Sequence, residues 1–347
     1  MRRRRLHAAG RLRRGYVFPL ALWTIAIVAV LLGAAYTVMS AANATLARMV
    51  EREAALADFR AVETQMLRLL LTEPMGLSDL RVGGMLDPDP ISGGFGIGGD
   101  GVSATGAPYR VDGENGPVIV RLVAANGLLS LTDDPGPAAE ALLLALGRSR
   151  PDARRLAARL ADFVDEDDLR QLGGAEADDY PEGRRPRNAP LGTASDACGA
   201  LGWAEEVALC ADPRMMDLFA FAGGPSAMSA RLVPEYWLHL LLGDDTPAVE
   251  RAMDALEDRD RLVLYEDLGI EGLDALADNS AIPGPSFLIV THRPAAEFVQ
   301  LTRIDLTMAN LYKPYEIAFS YVVGGSIVEG AFHVEEVDAL DQLPQAD

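Results

Sequence analysis

A chain of 347 residues, 49% of them hydrophobic, has material for two domains and a sizeable core. Its 51 acidic and 31 basic residues give a formal net charge of −20, unevenly spread: every acidic residue follows position 50, and seven arginines precede Gly15. Setting those seven aside leaves 24 basic residues against 51 acidic ones, a balance that argues against nucleic acid or anionic lipid as partners of the main body.

The basic leader ends at Gly15, and no charged side chain occurs from Tyr16 to Ala47. As a helix to about Met39 this run is roughly 36 Å long, more than a bilayer core of ~30 Å. Positive charge in front of such a span is held on the cytoplasmic side, so the body is expected across the membrane. A cleaved secretory signal has an apolar region of about 7–15 residues, shorter than this one, although Ala42-Asn43-Ala44 imitates its cleavage site.

A basic leader, a glycine, an aromatic residue and an uninterrupted apolar helix resemble the N-terminus of type IV pilins and pseudopilins. The resemblance implies that prepilin peptidase cuts after Gly15 and methylates the new N-terminus at Tyr16, leaving the helix in place. Most members carry Glu at the fifth mature position, where this chain has Leu20. A buried carboxylate there needs a partner, and the minor pseudopilin that caps the filament usually lacks it. Leu20 also reads simply as a lipid-facing residue.

Beyond the anchor, Leu56, Phe59, Val62, Met66 and Leu70 continue at helical spacing toward Pro74, with Glu51, Glu53, Asp58, Arg60 and Glu63 on the wet side. Residues 76–117, rich in Gly, Asp and Pro, read as loop. Gly96-x-Gly98-x-x-Gly101 formally fits a dinucleotide fingerprint, but no strand is predicted before it and no helix after it. Val118–Val123 and Leu128–Leu131 read as two strands joined around Asn126-Gly127. Helices follow over Ala138–Leu146 and Ala153–Phe163, then Thr193–Leu201, Pro213–Phe221, Pro234–Leu242 and Pro247–Leu256. Near the end the period changes: Ser286–His292, Phe298–Met308, Tyr315–Val323 and Ser326–Val334 are rich in β-branched and aromatic residues, with Gly324-Gly325 as a hairpin turn. Asp338–Asp347 reads as a loose tail.

Between these helices lies the most distinctive passage: Leu160-Ala-Asp-Phe-Val-Asp-Glu-Asp-Asp168, Gly174-Ala-Glu-Ala-Asp-Asp-Tyr180 and Arg187-Asn-Ala-Pro-Leu191. Their order, with the Asn126-Gly127 turn and Tyr315-Glu-Ile-Ala-Phe319, resembles the K-type minor pseudopilin of the type II secretion system, the general secretion pathway protein K family. Asp196-Ala197 departs from a Glu-Leu pair common in that family, and its usual second Asn-Thr-Ala segment is not recognisable. The resemblance implies an α+β fold, a pilin-like long helix on an antiparallel sheet with a large inserted helical domain. The expected layout is a leader over 1–15, a membrane helix over 16–47, and the rest of the spine helix, a loop and the first strands over 48–131. The helical insert then covers 132–282, the C-terminal strands 283–337 and the tail 338–347. It also implies a single-pass inner-membrane protein with its body in the periplasm, and types I and J minor pseudopilins as partners in a pseudopilus tip. Small residues Ala26, Ala29, Gly33, Ala34 and Ala41 would permit close helix approach, or are ordinary residues of a membrane span.

Asp165, Asp167, Asp168, Glu176, Asp178 and Asp179 put many carboxylates in a short span. Calcium takes about 6–8 oxygen ligands in flexible geometry, and the resemblance implies calcium here. The spacing is not that of an EF-hand, since Leu169 and Arg170 replace the next ligand and the glycine. The plainer reading is a solvated loop pairing with Arg184, Arg185 and Arg187. Cys198 and Cys210 are the only cysteines, either a disulfide or two buried thiols. His7, His239, His292 and His333 show no metal-ligand spacing, and no serine sits in a G-x-S-x-G elbow. A structural role is therefore expected rather than an enzymatic one. The rival expectation is a membrane-anchored periplasmic protein that holds a ligand in a cleft of its helical domain.

Overall fold

The computed structural model describes residues 17–76, 78–83, 85–86, 96–97, 100–132, 134–223, 228–242, 246–257, 268, 283–295, 297–307, 312–325, 328, 332, 334 and 336–345. Gly15, Tyr16, His7, His333 and most of 258–282 lie outside them. The chain divides into two compact units, Met1–Ala55 and Leu56–Asp347.

In the first unit, helix α1 (Val17–Thr72) begins and runs unbroken through the apolar stretch. It is long and apolar enough to cross a membrane, with a mean hydropathy of 2.3 in its most apolar window. Phe18, Trp23, Ile25, Leu31 and Tyr36 are all exposed. Thr24 and Thr37 turn their hydroxyls onto the carbonyls of Ala21 and Ala34, so neither presents an unsatisfied donor.

In the second unit the remainder of α1 lies along one face of a five-stranded antiparallel sheet. The first strands are β1 (Asp79–Val82), β2 (Met85–Leu86), β3 (Gly96–Ile97), β4 (Asp100–Ser103), β5 (Thr105–Gly113), β6 (Gly116–Ala124) and β7 (Leu129–Ser130). Helices α2 (Pro135–Ala145), α3 (Arg150–Val164) and α4 (Trp203–Glu206) follow, then β8 (Ala220–Phe221), α5 (Glu235–Leu242) and α6 (Thr246–Glu257). The chain closes with β9 (Ser286–His292), β10 (Phe298–Leu306) and β11 (Tyr315–Gly324). The main sheet has the order β11-β10-β9-β6-β5, so the C-terminal strands rejoin the early ones as the period-2 pattern predicts. β1 with β4 and β2 with β3 form antiparallel pairs, and β7 with β8 a short parallel one.

Register decides which side chain faces which layer. Leu122, Ile289 and Thr302 stand in one row, and Thr302 donates its hydroxyl to Glu63 of α1 at 2.7 Å. On the same side Phe59 is fully buried with its ring 5.9 Å from that of Phe298. The contact is not purely apolar: Arg293 reaches Asp58 at 3.1 Å, and Gln300 donates to Glu63 at 2.9 Å. The alternate row, Val123, Leu288, Val290, Val299 and Leu301, joins Leu142, Leu156, Trp203 and Trp237 in one core. The helical region thus packs directly on the second face of the sheet.

Five expectations are corrected. Residues 76–117 are not simply loop, since β1, β4 and β5 lie among them. β6 is an apolar strand whose ladder needs a second partner, and β5 supplies it despite Pro108, which sits where the register shifts. Asn126-Gly127 does not turn a hairpin. Ala125–Gly127 is a 3-10 turn, a Cβ on Gly127 would stand 2.0 Å from the carbonyl oxygen of Leu232, and Ser229 donates its amide to Asn126 O. Tight docking against 229–232 sends the chain away, and β7 pairs with β8 instead.

Over 193–221 the expected helices are 3-10 turns, Ala194–Gly199 and Pro213–Leu218, the second leading into β8. Thr193 and Asp196 cap the start of the first and Asp212 the start of the second, and the first stops at Ala200, whose backbone is extended. Of the expected fourth C-terminal strand, 326–334, only Val328, Phe332 and Val334 are among the described residues, and Val328 and Phe332 have helical backbone. Both are fully buried four residues apart, the spacing of one helix face.

Over its described residues, 338–345, the tail is not loose. Arg110 of β5 donates its amide to Asp341 O, Leu343 donates to Arg110 O, and the Arg110 guanidinium pairs with Asp338. A free strand edge attracts backbone, and the chain covers this one with its own C-terminal segment.

Candidate functional site

The acidic passage begins at the end of α3. Ser149 caps this helix by accepting the Asp152 amide, and Leu156 and Leu160 on its inner face are fully buried. Trp203 locks it to the next segment, its Nε1–H donating to Leu156 O at 2.9 Å. The helix ends at Val164 with no basic residue in its last turn. Asp162 and Asp165 thus stand at the negative end of a helix dipole, where carboxylates are disfavoured.

Asp162 is fully buried. It accepts the Gln171 amide at 3.2 Å, and Gly174 lies so close that a Cβ there would stand 1.9 Å from Oδ2. Two residues on, Glu176 is 7% exposed, and neither carboxylate oxygen has a hydrogen-bond partner. Asp165 Oδ1 is buried and equally unpaired. Arg187 and Asn188 both donate their amides to Phe163 O, bringing the third part of the passage to the same helix end, and Asn188 Oδ1 is another buried acceptor without a donor.

Burial first, and then neighbouring carboxylates, push the pKa of Asp165 and Glu176 up. For Glu176 the neighbours are Asp162, Asp165, Asp168 and Asp167. Asp162 is also raised, by burial, against the amides of Gln171 and Ala175 and the charge of Arg170. These are carboxylates drawn out of water toward one another.

The six residues expected to bind metal separate in the structure. Asp165 and Glu176 carry the unpaired buried oxygens. Asp167 is exposed and accepts the Leu169 amide at 2.7 Å, and Asp168 and Asp178 are exposed. Asp179 is turned to local structure, accepting the Glu176 amide and pairing with Arg170 at 2.7 Å. Asp162 and Asn188 escaped the sequence reading. Asp162 stands within a helical stripe, and its signal is the glycine pair that lets the loop close over it. Among the described residues, no group of three or more His, Cys, Asp or Glu side chains is arranged to hold a metal ion as it stands. The donor chemistry nonetheless suits a hard cation: buried, unpaired, mutually repelling oxygens from carboxylates and an amide.

Of the arginines offered to a solvated loop, Arg187 pairs with Asp196 at 2.9 Å, and Arg184 lies 4.0 Å from Glu205. Asp196, the departure noted above, also accepts the amides of Gly192 and Thr193. Cys198 and Cys210 are joined in a disulfide that ties two 3-10 turns together. His292 is fully buried in β9, its pKa pushed down to about 3 by burial and by Arg121, so it is neutral at ordinary pH.

Residues 120–215, from β6 to the 3-10 turn before β8, match the model of the family described as type II secretion system (T2SS), protein K. Over those residues the chain is similar to the protein K family. The match contains the whole acidic passage and both cysteines. A solved structure, the crystal structure of the GspK-GspI-GspJ complex from the enterotoxigenic Escherichia coli type 2 secretion system, holds a chain 13% identical to this one. The alignment covers 81% of this chain and 99% of that one, with a TM-score of 0.46. No curated protein matches the sequence.

Proposed function

We propose that the chain is a structural minor pseudopilin of the K type, not an enzyme, working at the tip of the type II secretion pseudopilus. There it helps initiate pseudopilus assembly and so protein export across the outer membrane. The observation that carries this reading is the protein K match over 120–215 on a chain whose α1 runs unbroken from a membrane-length apolar stretch to the packed face of a sheet. In this reading prepilin peptidase cleaves after Gly15, Tyr16 becomes the methylated N-terminus, and the apolar half of α1 anchors the protein once through the inner membrane. The body lies in the periplasm, and on leaving lipid the helix bundles with those of minor pseudopilins of types I and J.

Sequencing the N-terminus of protein purified from membranes tests the first step. A mature chain starting at N-methylated Tyr16 is expected, and one starting at Thr45 overturns the reading. Co-purification of I- and J-type pseudopilins with the full chain, but not with a chain whose residues 16–47 are scrambled, is the corresponding result for assembly.

The same reading includes calcium. Asp162, Asp165 and Glu176, with the amide oxygen of Asn188, would hold the ion at the end of α3, and Asp167 and Asp168 are near enough in charge to assist. The bound cation supplies positive charge that relieves carboxylate repulsion and joins the α3 end to the 174–188 segment. Its role is structural.

A further inference from the structure

At one point the second face of the sheet meets the helical region through a buried carboxylate. Asp217, in the 3-10 turn Pro213–Leu218, is 4% exposed. Its Oδ1 accepts the amide of Ala194 at 2.9 Å, and its Oδ2 accepts the phenolic O–H of Tyr321 on β11, more than a hundred residues away. Ser195 adds a further hydrogen bond. Three separate elements thus converge on one side chain: the turn that carries it, the Ala194–Gly199 turn, and a strand at the edge of the main sheet.

We propose that Asp217 is a pH-responsive clasp between the helical region and β11, closed when its carboxyl is protonated and loosened when it is charged. Geometry is the first support. A charged carboxylate in this position is cut off from water and has only uncharged donors as direct partners. The charged groups on the surrounding elements are already engaged. Arg214 of the same turn pairs with Asp212 at 2.7 Å and lies over the Tyr321 ring, Arg187 pairs with Asp196 beside the 194–199 turn, and Arg303 of β10 pairs with Asp305. Arg303 also spends its other N–H groups on Ala222 O and Gly223 O. None of them is a direct counter-charge to Asp217.

The second support is the carboxyl's titration. Burial pushes it from 3.8 up to about 6, against the pull of Tyr321, Ser195 and Ala194. A carboxyl raised in the closed state favours closure at low pH and loses that contribution as pH rises through about 6. Opening would release Tyr321 and the Phe319 ring stacked on it at 4.6 Å. The switch thus governs access to an aromatic pair on an edge strand.

Hydrogen exchange of the full chain in detergent, corrected for the intrinsic pH dependence of exchange, tests this at amides of 194–199 and 315–324. With an open-state carboxyl near 3.8, opening in the wild type should rise roughly tenfold between pH 5 and pH 7. Asp217→Asn removes the titrating group and should flatten the profile. Tyr321→Phe removes a donor that lowers the Asp217 pKa and should move the midpoint upward. Comparing each variant with the wild type cancels the titration of the acidic passage. A flat wild-type profile, an undiminished rise in Asp217→Asn, or a Tyr321→Phe midpoint unchanged from wild type would each overturn the clasp.

Discussion

Gly174 and Asp162 approach so closely that a methyl group on the glycine would stand 1.9 Å from the aspartate Oδ2. The contact explains why the loop after α3 turns back with paired glycines: only a bare backbone can lie over this carboxylate. Gly174→Ala should therefore displace either the loop or Asp162. The expected cost is about 1–3 kcal/mol, read as a lower melting temperature of the full chain, together with a weaker response to calcium. An alanine variant as stable and as calcium-responsive as the parent would show that the close approach is dispensable.

The carboxylates around that contact give a pH prediction of defined sign. Asp162, Asp165 and Glu176 all have pKa values raised in the folded state. Their contribution is therefore most favourable at low pH and is lost as pH rises through the folded values. In chelator, the melting temperature should climb as pH falls through the raised folded values of these carboxyls. With excess calcium the dependence should flatten, because the cation replaces the proton as the relief of repulsion.

Glu176→Gln separates this reading from a merely solvated acidic loop. It should stabilise the calcium-free protein by removing one buried charge, and it should shrink the calcium-induced rise in melting temperature. Calorimetry with calcium alone measures the second effect directly. Absence of binding heat in the wild type would reject the metal proposal and leave the pseudopilin reading standing.

The disulfide links cysteines 12 positions apart. Loop-closure entropy for a ring of this size corresponds to about 2–3 kcal/mol. Reduction, or Cys198→Ser with Cys210→Ser, should lower the melting temperature accordingly. The two turns it joins are short 3-10 segments with little helix of their own, so the loss should be concentrated in exchange over 194–211.

Phe59→Ala tests the helix–sheet contact. The ring is wholly buried against Phe298, and its deletion should cost about 3–5 kcal/mol. Because residues 17–50 are untouched, membrane insertion should remain as in the parent, which fractionation would verify.

Periodicity exposed the spine helix, α2, α3 and strands β9 to β11, since each repeats apolar residues over two or more turns or pleats. It failed wherever a tertiary partner decides the conformation. Thr105–Gly113 carries two glycines and a proline and becomes a strand only because β6 pairs with it. Val328 and Phe332 look β-forming by residue type, but their four-residue spacing reports a helix face. Within the acidic passage, counting carboxylates found Asp165 and Glu176 and equally Asp178 and Asp179, which serve solvent and a cap. Burial separates the two groups, and burial depends on how the loop folds over α3.

The pairs Asp58–Arg293 and Glu63–Thr302 set the register between α1 and the sheet. Sliding the helix by one residue would turn both carboxylates away from their donors, and an unpaired buried charge is costly. A force along the part of α1 beyond Ala55 is therefore passed to the sheet as shear instead of being lost to slippage. Mechanically, the helix is bolted to the sheet rather than greased against it.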